Sequence, residues 1–271
     1  MSARLLTRRF SRPTGVRLPC VERLLTKTQE EETIIINRPD RSTYPEEKSV
    51  LRSGATRLVG NAFGGNNIRT FAARYPAEVA GLVLVEADVV SSPEELRGHA
   101  KLVTSMRECR DAIASGKPLP QVATRPGGPA RTCAQDFFFR GLPEPMWSPE
   151  LNAKLLELVQ TKVAMYDSYI SEMEQMPVDE TYLQQHSRSL GSRPIRVLST
   201  GKHGVHSLDL TRPLDPEQQK YQQEVAREQA RWLELSSNAK QLFSDQSSEY
   251  IPFDQPSFVV DAIRDAYTQS K

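Results

Sequence analysis

The 271-residue sequence lacks several features that would point to common classes of protein. No apolar run approaches the roughly 20 residues of a membrane span, so the sequence predicts no transmembrane helix. The formal net charge is only +1, which gives no reason to expect a nucleic acid as a partner. The amino terminus contains no uninterrupted apolar segment and therefore does not match a secretory signal.

Cysteine and histidine are scarce, and neither is arranged as a metal site. The spacings of Cys20, Cys109 and Cys133 match no zinc pattern. Cys109 and Cys133 flank a loop and could pair in an oxidising compartment, but we expect free thiols. His203 and His206 follow a buried apolar run without an evident third ligand, and histidines in loops are usually solvated. We expect no metal and no cofactor.

Residues 1–29 differ in composition from the rest of the chain. They contain seven Lys or Arg residues and a single acid, Glu22. This composition is typical of a disordered basic tail, and a mitochondrial transit peptide, which is also rich in arginine and poor in acids, is the alternative. We therefore expect residues 1–32 to form a separate basic segment of a cytoplasmic protein, with a mitochondrial location as the alternative.

The apolar patterns after residue 32 predict an α/β fold. Runs of apolar or β-branched residues predict five strands, at 33–37, 57–60, 81–86, 194–200 and 239–245. A helix over 66–75 joins the second strand to the third by short connections, which makes a βαβ unit and requires parallel strands. Other helices are predicted over 46–54, 93–115, 149–176, 179–189, 215–236 and 257–269. Residues 93–190 contain no convincing strand.

The segment "GNAFGG" at residues 60–65 forms the turn between a predicted strand and a predicted helix. Its glycines have the spacing that normally surrounds a catalytic serine, but the middle position is Ala62. The segment lacks the lysine of a phosphate-binding loop and the spacing of a dinucleotide-binding turn, so we do not expect a nucleotide.

This turn, the following "FAARYPAEVAGLVLVEA" and the later "SSEYIPFDQP" resemble the α/β-hydrolase fold superfamily over about residues 33–268. The resemblance implies a mostly parallel sheet with an inserted helical cap. Residues 33–92 and 191–271 would form the core, and residues 93–190 the cap. A tight strand-to-helix turn would hold the nucleophile position within reach of the position of the catalytic histidine.

The resemblance also implies the role of individual positions. Ala62 occupies the place of the nucleophile, and Glu249 that of the histidine. Glu86 and Asp88 are the candidates for the acid, and the backbone N–H of Phe63 is one donor to an oxyanion. The family has about three strands and a loop before the first predicted strand, and that loop supplies the second donor. Only the basic segment precedes that strand here, so we expect the second donor to be absent.

Two of these residues argue against serine-hydrolase chemistry. A methyl group cannot attack a carbonyl, and a carboxylate with an ordinary pKa near 4.3 is a weak base. In a serine protease, removal of the serine or the histidine costs on the order of 10⁶ in kcat. We therefore expect that Ala62 and Glu249 do not support hydrolysis of activated esters.

Three functions fit this pattern. The first is binding of a small hydrophobic molecule, or of a partner protein, under the cap and without acyl transfer. The second is a non-standard enzyme that uses Glu249, such as a hydrolase, lyase or cyclisation catalyst of a natural-product pathway. The third is a nonfunctional remnant. The candidate pocket residues are Phe137, Phe138, Trp147 and Tyr250, although the run of three phenylalanines is also typical of core packing.

Overall fold

The computed structural model describes residues 33–35, 55–88, 93–122, 131–137, 142–205 and 209–269. The expectations for residues 1–32, for the helix over 46–54, and for Phe138 and His206 lie outside these ranges.

A five-stranded, all-parallel sheet forms the centre of the molecule, as predicted. Its strands, in the spatial order β1-β2-β3-β6-β7, are β1 (Thr33–Ile35), β2 (Thr56–Asn61), β3 (Val79–Val85), β6 (Ile195–Thr200) and β7 (Ala239–Ser244). β4 and β5 are described below. Because the strands are parallel, the segments that follow β2, β3, β6 and β7 all emerge at one edge of the sheet. We call this the carboxyl edge.

The alternation of side chains along β3 explains why its sequence is continuously apolar. Leu82 and Leu84 pack on one face of the sheet, in a cluster with Ile68 and Trp232. Val83 and Val85 point to the other face, where their cluster includes Ala262 and Ala266 of the last helix. Successive side chains of a strand point to opposite faces, so a strand that is covered on both sides favours apolar residues at successive positions, as in β3.

Seven helices accompany the strands in the described residues. They are α1 (Phe63–Arg74), α2 (Pro93–Ser115), α3 (Pro149–Thr161), α4 (Val163–His186), α5 (Pro216–Ala230), α6 (Ile251–Asp254) and α7 (Pro256–Gln269). Short 3-10 helices span Pro76–Glu78 and Arg231–Leu235. α1 joins β2 to β3, which confirms the predicted βαβ unit. α2, α3 and α4 lie between β3 and β6, in the segment predicted to form the cap.

The segment between β3 and β6 differs from its prediction in two respects. It contains a small antiparallel ribbon of β4 (Gln121–Val122) and β5 (Arg131–Thr132), whose two-residue strands are too short to give an alternating pattern. The helices predicted over 149–176 and 179–189 are instead α3 and α4, so the break between them falls at Lys162 and not after residue 176. The break frees the Val159 carbonyl, which accepts a hydrogen bond from the Tyr166 hydroxyl at 2.7 Å.

The same segment has a hydrophobic cluster of its own, and this cluster contains the only disulfide among the described residues. Cys109 of α2 pairs with Cys133, next to β5, with a Cα–Cα distance of 5.8 Å, and both residues are fully buried. The expectation of free thiols was therefore wrong. The spacing in sequence does not reveal that α2 and the ribbon pack together and bring the two Cα atoms to bonding distance.

Candidate functional site

The turn between β2 and α1 has the backbone geometry of a nucleophile elbow. Ala62 lies at the tip with φ 48° and ψ −126°, a conformation that is uncommon for a residue with a Cβ and costs on the order of 1–3 kcal/mol. Its N–H donates to the Val85 carbonyl at 3.0 Å, and its carbonyl accepts from the Gly65 and Asp88 amides at 2.9 and 3.2 Å. The turn is therefore fixed from both the helix side and the β3 side. Ala62 is partly exposed, and its side chain ends at the methyl group.

Close packing explains the glycines on either side of this turn. A Cβ atom on Gly60 would lie 2.3 Å from the carbonyl oxygen of Gly64. A Cβ atom on Gly65 would lie 2.2 Å from the Cβ of Ala87. Both distances are far below van der Waals contact, so the path of the chain through the elbow requires glycine at 60 and 65.

Phe63 connects the elbow to the helical segment above it. Its side chain is buried in the hydrophobic cluster of that segment, together with Tyr166, Ile170 and Met173 of α4. Its amide lies in the first turn of α1, where N–H groups have no acceptor within the helix. The expectation that this amide acts as an oxyanion donor stays a prediction.

Glu86, directly after β3, is the most constrained acidic residue at the carboxyl edge. It is 5% exposed and has φ 40°, and it is the only non-glycine residue besides Ala62 with a positive φ in the described ranges. Its Oε2 accepts the Thr200 amide at 2.6 Å, and its Oε1 lies 2.9 Å from His203 Nδ1 and 3.5 Å from Gln229 Nε2. Glu86 therefore joins the ends of β3 and β6.

His203 was expected to be a solvated loop histidine, but the structure makes it a functional candidate. With Glu86 as a carboxylate, Nδ1 donates the proton of this bond, because carboxylate oxygens only accept. Its amide donates to Gln222 Oε1 at 2.7 Å, and its ring contacts Tyr221 edge-on at 5.2 Å. Burial alone would lower the pKa of His203, but the hydrogen bond to Glu86 and the nearby carboxylates outweigh burial and raise it.

α5 delivers the two glutamines that support this pair. The helix begins with a reciprocal capping box between Asp215 and Gln218 and has Pro216 in its first turn. Gln222 and Gln229 are seven residues apart and therefore lie on one face of the helix. Both are buried, and both bond to the carboxyl edge. No motif signals this arrangement, because it depends on how α5 packs against the sheet.

Glu249 lies in the loop after β7, at the position that the resemblance gives to the catalytic histidine. Its Oε2 accepts the Gly204 amide at 2.8 Å, so this carboxylate is bound to the loop after β6. Ala62 and Glu249 lie at the same edge of the sheet, but β3 and β6 separate their strands by about 14 Å. That the two side chains come within reach of each other stays a prediction.

Two further carboxyl groups, Asp88 and Glu172, lie at the boundary between the sheet and α4 and interact electrostatically. Burial, assisted by the charge of Glu86, raises the pKa of Asp88 to about 7. Burial and the charge of Asp88 raise the pKa of Glu172 on α4 to about 7. Burial and the nearby charges of Glu172 and Asp88 also raise the pKa of Tyr169, one turn earlier. The sequence suggested Asp88 but contains no signal for Glu172 or Tyr169.

The expected pocket residues that the structure describes, Phe137, Trp147 and Tyr250, lie near this boundary. Phe137 contacts Tyr166 and Tyr169 with ring centroids 4.8 and 5.6 Å apart, and both Phe137 and Trp147 pack against the hydrophobic cluster of the helical segment. Tyr250 follows Glu249 and is partly buried. Since Tyr169 contacts Phe137 and also interacts with Asp88, it links the aromatic residues to the acidic ones.

The described part of the chain contains neither a metal site nor a membrane-spanning helix. It contains no group of three or more His, Cys, Asp or Glu side chains arranged to hold a metal ion. No helix within the described ranges is both long and apolar enough to cross a membrane.

The parallel sheet, the crossover through α1 and the elbow at Ala62 together define an α/β-hydrolase fold. Comparison with solved structures agrees. An epoxide hydrolase, CorEH, superposes with a TM-score of 0.51 at 12% sequence identity, over 80% of this chain and 69% of that chain.

Two other solved structures are similar at lower TM-scores. A thermophilic esterase from Thermogutta terrifontis has a TM-score of 0.43 at 19% identity, over 80% of this chain and 66% of that chain. An α/β-hydrolase enzyme from a deep-sea metagenome library has a TM-score of 0.46 at 15% identity, with the same shares of 80% and 66%. This chain thus spans about two thirds of the length of each. No protein-family model and no curated protein matches the sequence.

Proposed function

We propose that this protein binds a small, mostly apolar molecule at the carboxyl edge of its sheet, under the helical segment of residues 93–190, without acyl transfer at residue 62. The observation that carries the proposal is Ala62 itself. It has the strained backbone of a nucleophile, but it has no atom that can form a bond to an acyl carbon.

The surroundings of the elbow support a ligand with apolar character. Phe63 and Phe137 pack into the hydrophobic cluster beside the elbow, and Trp147 packs against it. The pKa values near 7 of Asp88 and Glu172 indicate a poorly hydrated environment, because burial is the largest cause of both shifts. Carboxyl groups in such a place disfavour an anionic ligand, so we expect a neutral one.

The position of Glu249 supports the absence of serine-type chemistry. The Oε2 atom of Glu249 accepts the Gly204 amide, so the carboxylate links the loop after β7 to the loop after β6. This structural role accounts for Glu249 without serine-type chemistry.

Fragment binding to the purified protein tests this proposal. We expect neutral aromatic and aliphatic fragments, observed by saturation-transfer NMR, to bind at a common site. Ala62→Leu, which places a larger side chain at the elbow, should weaken binding at least tenfold. The matched change Ala164→Leu on the exposed face of α4 should leave binding unchanged. Binding that Ala62→Leu does not affect would contradict the proposed location.

A further inference from the structure

We propose that His203, held by Glu86, is the general acid–base residue of this site and exchanges a proton with the bound molecule through its Nε2 atom. The inference rests on the proposed function and deepens it, because it assigns a proton-transfer chemistry to the ligand-binding edge. It places the reactive group after β6, and not at Ala62 or Glu249.

The first argument is the orientation of the imidazole ring. The bond from Nδ1 to Glu86 fixes the tautomer, so that Nε2 carries the lone pair whenever the ring is neutral. Within the described ranges no group bonds to Nε2, and the side chain is 23% exposed. A histidine with one nitrogen bonded to a buried carboxylate and the other free can give and accept a proton.

The second argument is the support behind the carboxylate. Glu86 is held by the Thr200 amide and by Gln229, and it adopts a positive φ that only a well-fixed environment maintains. The His203 amide is held separately by Gln222. Both members of the pair are therefore fixed by the backbone of β6 and by α5 before any ligand binds, and Glu86 is a positioning residue.

The third argument is electrostatic and concerns the kind of ligand. The groups around His203 are Glu86 and Asp88 from the end of β3, Glu249 from the loop after β7, and Tyr221 from α5. Glu86 by direct contact, and Glu249 and Asp88 through their charges, stabilise the protonated imidazole, and these acidic groups disfavour an anionic ligand. The expected substrate is thus a neutral molecule with a proton that can be removed or a polar atom that can be protonated.

The probe 5-nitrobenzisoxazole, a small neutral heteroaromatic, tests this proposal. The lone pair of Nε2 takes the proton from carbon 3, the C–H electron pair completes the nitrile, and the N–O bond breaks. The oxygen keeps the electron pair as a phenolate that is measured by its colour. The probe supplies both the acidic proton and the leaving group, so no co-reactant is needed.

We expect saturable turnover that rises with pH, with a midpoint above 6.5, the value of an unperturbed histidine. His203→Gln should lower kcat about 100-fold. Glu86→Gln should lower kcat severalfold and move the midpoint to lower pH, because the carboxylate no longer stabilises the imidazolium. His186→Gln and Glu224→Gln, both on exposed helix surfaces, should change neither quantity.

Several outcomes would overturn the proposal. One is turnover that survives His203→Gln, and another is turnover that disappears with Glu249→Gln or Asp88→Asn alone, because the base would then be a carboxylate. Saturable binding of the probe without turnover would also overturn it, although the proposed binding function would stand. Two-bond proton–nitrogen NMR of folded protein at high pH is an independent check, since a neutral His203 protonated on Nε2 would contradict the assigned tautomer.

Discussion

The elbow at Ala62 and the Glu86–His203 pair lie at the same edge of the sheet and have opposite properties. The elbow keeps a strained backbone, close glycine packing and helix-end amides, but its side chain is a methyl group. The pair has two ionisable side chains, fixed by the neighbouring strand and helix, at positions outside the expected nucleophile–histidine pair. In this protein the backbone geometry of a catalytic turn and the side chains that can transfer a proton are therefore found at different positions of the same edge.

The comparison also shows why backbone geometry is maintained when the reactive atom is absent. The chain passes from β2 into α1 through an elbow in which Gly60 approaches Gly64 and Gly65 packs against Ala87. These close contacts do not involve the side chain of residue 62, so they can hold the elbow whether or not that residue carries a reactive atom.

The largest effect should come from a change that breaks the elbow. Gly60→Ala places a Cβ atom 2.3 Å from the Gly64 carbonyl oxygen, and backbone atoms cannot move aside easily. We expect a loss of about 3 kcal/mol in the free energy of unfolding, measured by urea denaturation. Gly98→Ala, where no atom lies within 4 Å of the added Cβ, should instead stabilise α2 by about 0.5–1 kcal/mol. Equal effects of the two changes would contradict the role of the elbow in folding.

The next effect concerns Asp88, at the boundary between the sheet and α4, and it depends on pH. The folded-state pKa of Asp88, about 7, is raised above its unfolded value near 3.9, so the folded state binds the extra proton between these values. The contribution of Asp88 to the free energy of unfolding is therefore most favourable below about pH 4, where the carboxyl group is protonated in both states, and it is lost as the pH rises to about 7. Asp88→Asn should be more stable than the parent by an amount that grows over this range, then levels off, and stays below the loss in Gly60→Ala.

Urea denaturation at several pH values measures this difference. Asp209→Asn, at an exposed position, is the control and should give a constant difference near zero. A difference for Asp88→Asn that does not vary with pH would show that Asp88 has an ordinary pKa.

A smaller effect is expected at the Glu86–His203 pair. The pKa of His203 is raised in the folded state. The charged imidazole therefore contributes fully to the free energy of unfolding below about pH 6.5, the unfolded value, and this contribution is lost as the pH rises through the folded-state pKa. Glu86→Gln should therefore cost about 1.5 kcal/mol at pH 6 and less at pH 9. Glu224→Gln on the exposed face of α5 should cost little at either pH. An equal cost of Glu86→Gln at both pH values would show that His203 is not charged in the folded protein.

The smallest effect should come from relief of strain at the elbow. Glycine adopts positive φ without a steric cost, so Ala62→Gly should stabilise the protein by about 1 kcal/mol. Ala100→Gly in the interior of α2 should lose about the same amount. The two changes are compared by thermal unfolding, and a loss of stability in Ala62→Gly would mean that the backbone at residue 62 is not strained.

The sequence predicts the sheet well because its signals are local and repeated. β3 is apolar at every position since both faces of the sheet are covered there, and glycine is the only residue that fits the elbow at positions 60 and 65. The break at Lys162 and the Cys109–Cys133 pair were missed because both depend on packing between segments that are distant in sequence.

The candidate site was predictable only in part, for a similar reason. Ala62, Glu86, Asp88 and Glu249 follow strands, and their place at the edge can be read from the fold. His203 also follows a strand, but its importance depends on a hydrogen bond to Glu86, 117 residues earlier in the chain. Glu172 depends in the same way on the position of α4 over Asp88.

Ester hydrolysis tests most directly the claim that the elbow performs no acyl transfer. 4-Nitrophenyl acetate is incubated with the parent protein, Ala62→Ser, Ala62→Ser with Glu249→His, and heat-denatured protein, which contains the same four histidines as the parent. We expect no burst from the parent or from Ala62→Ser, no saturable turnover that depends on residue 62 or on Glu249, and little gain in the double variant. A burst followed by saturable turnover in the parent protein, abolished by Glu249→Gln, would contradict it.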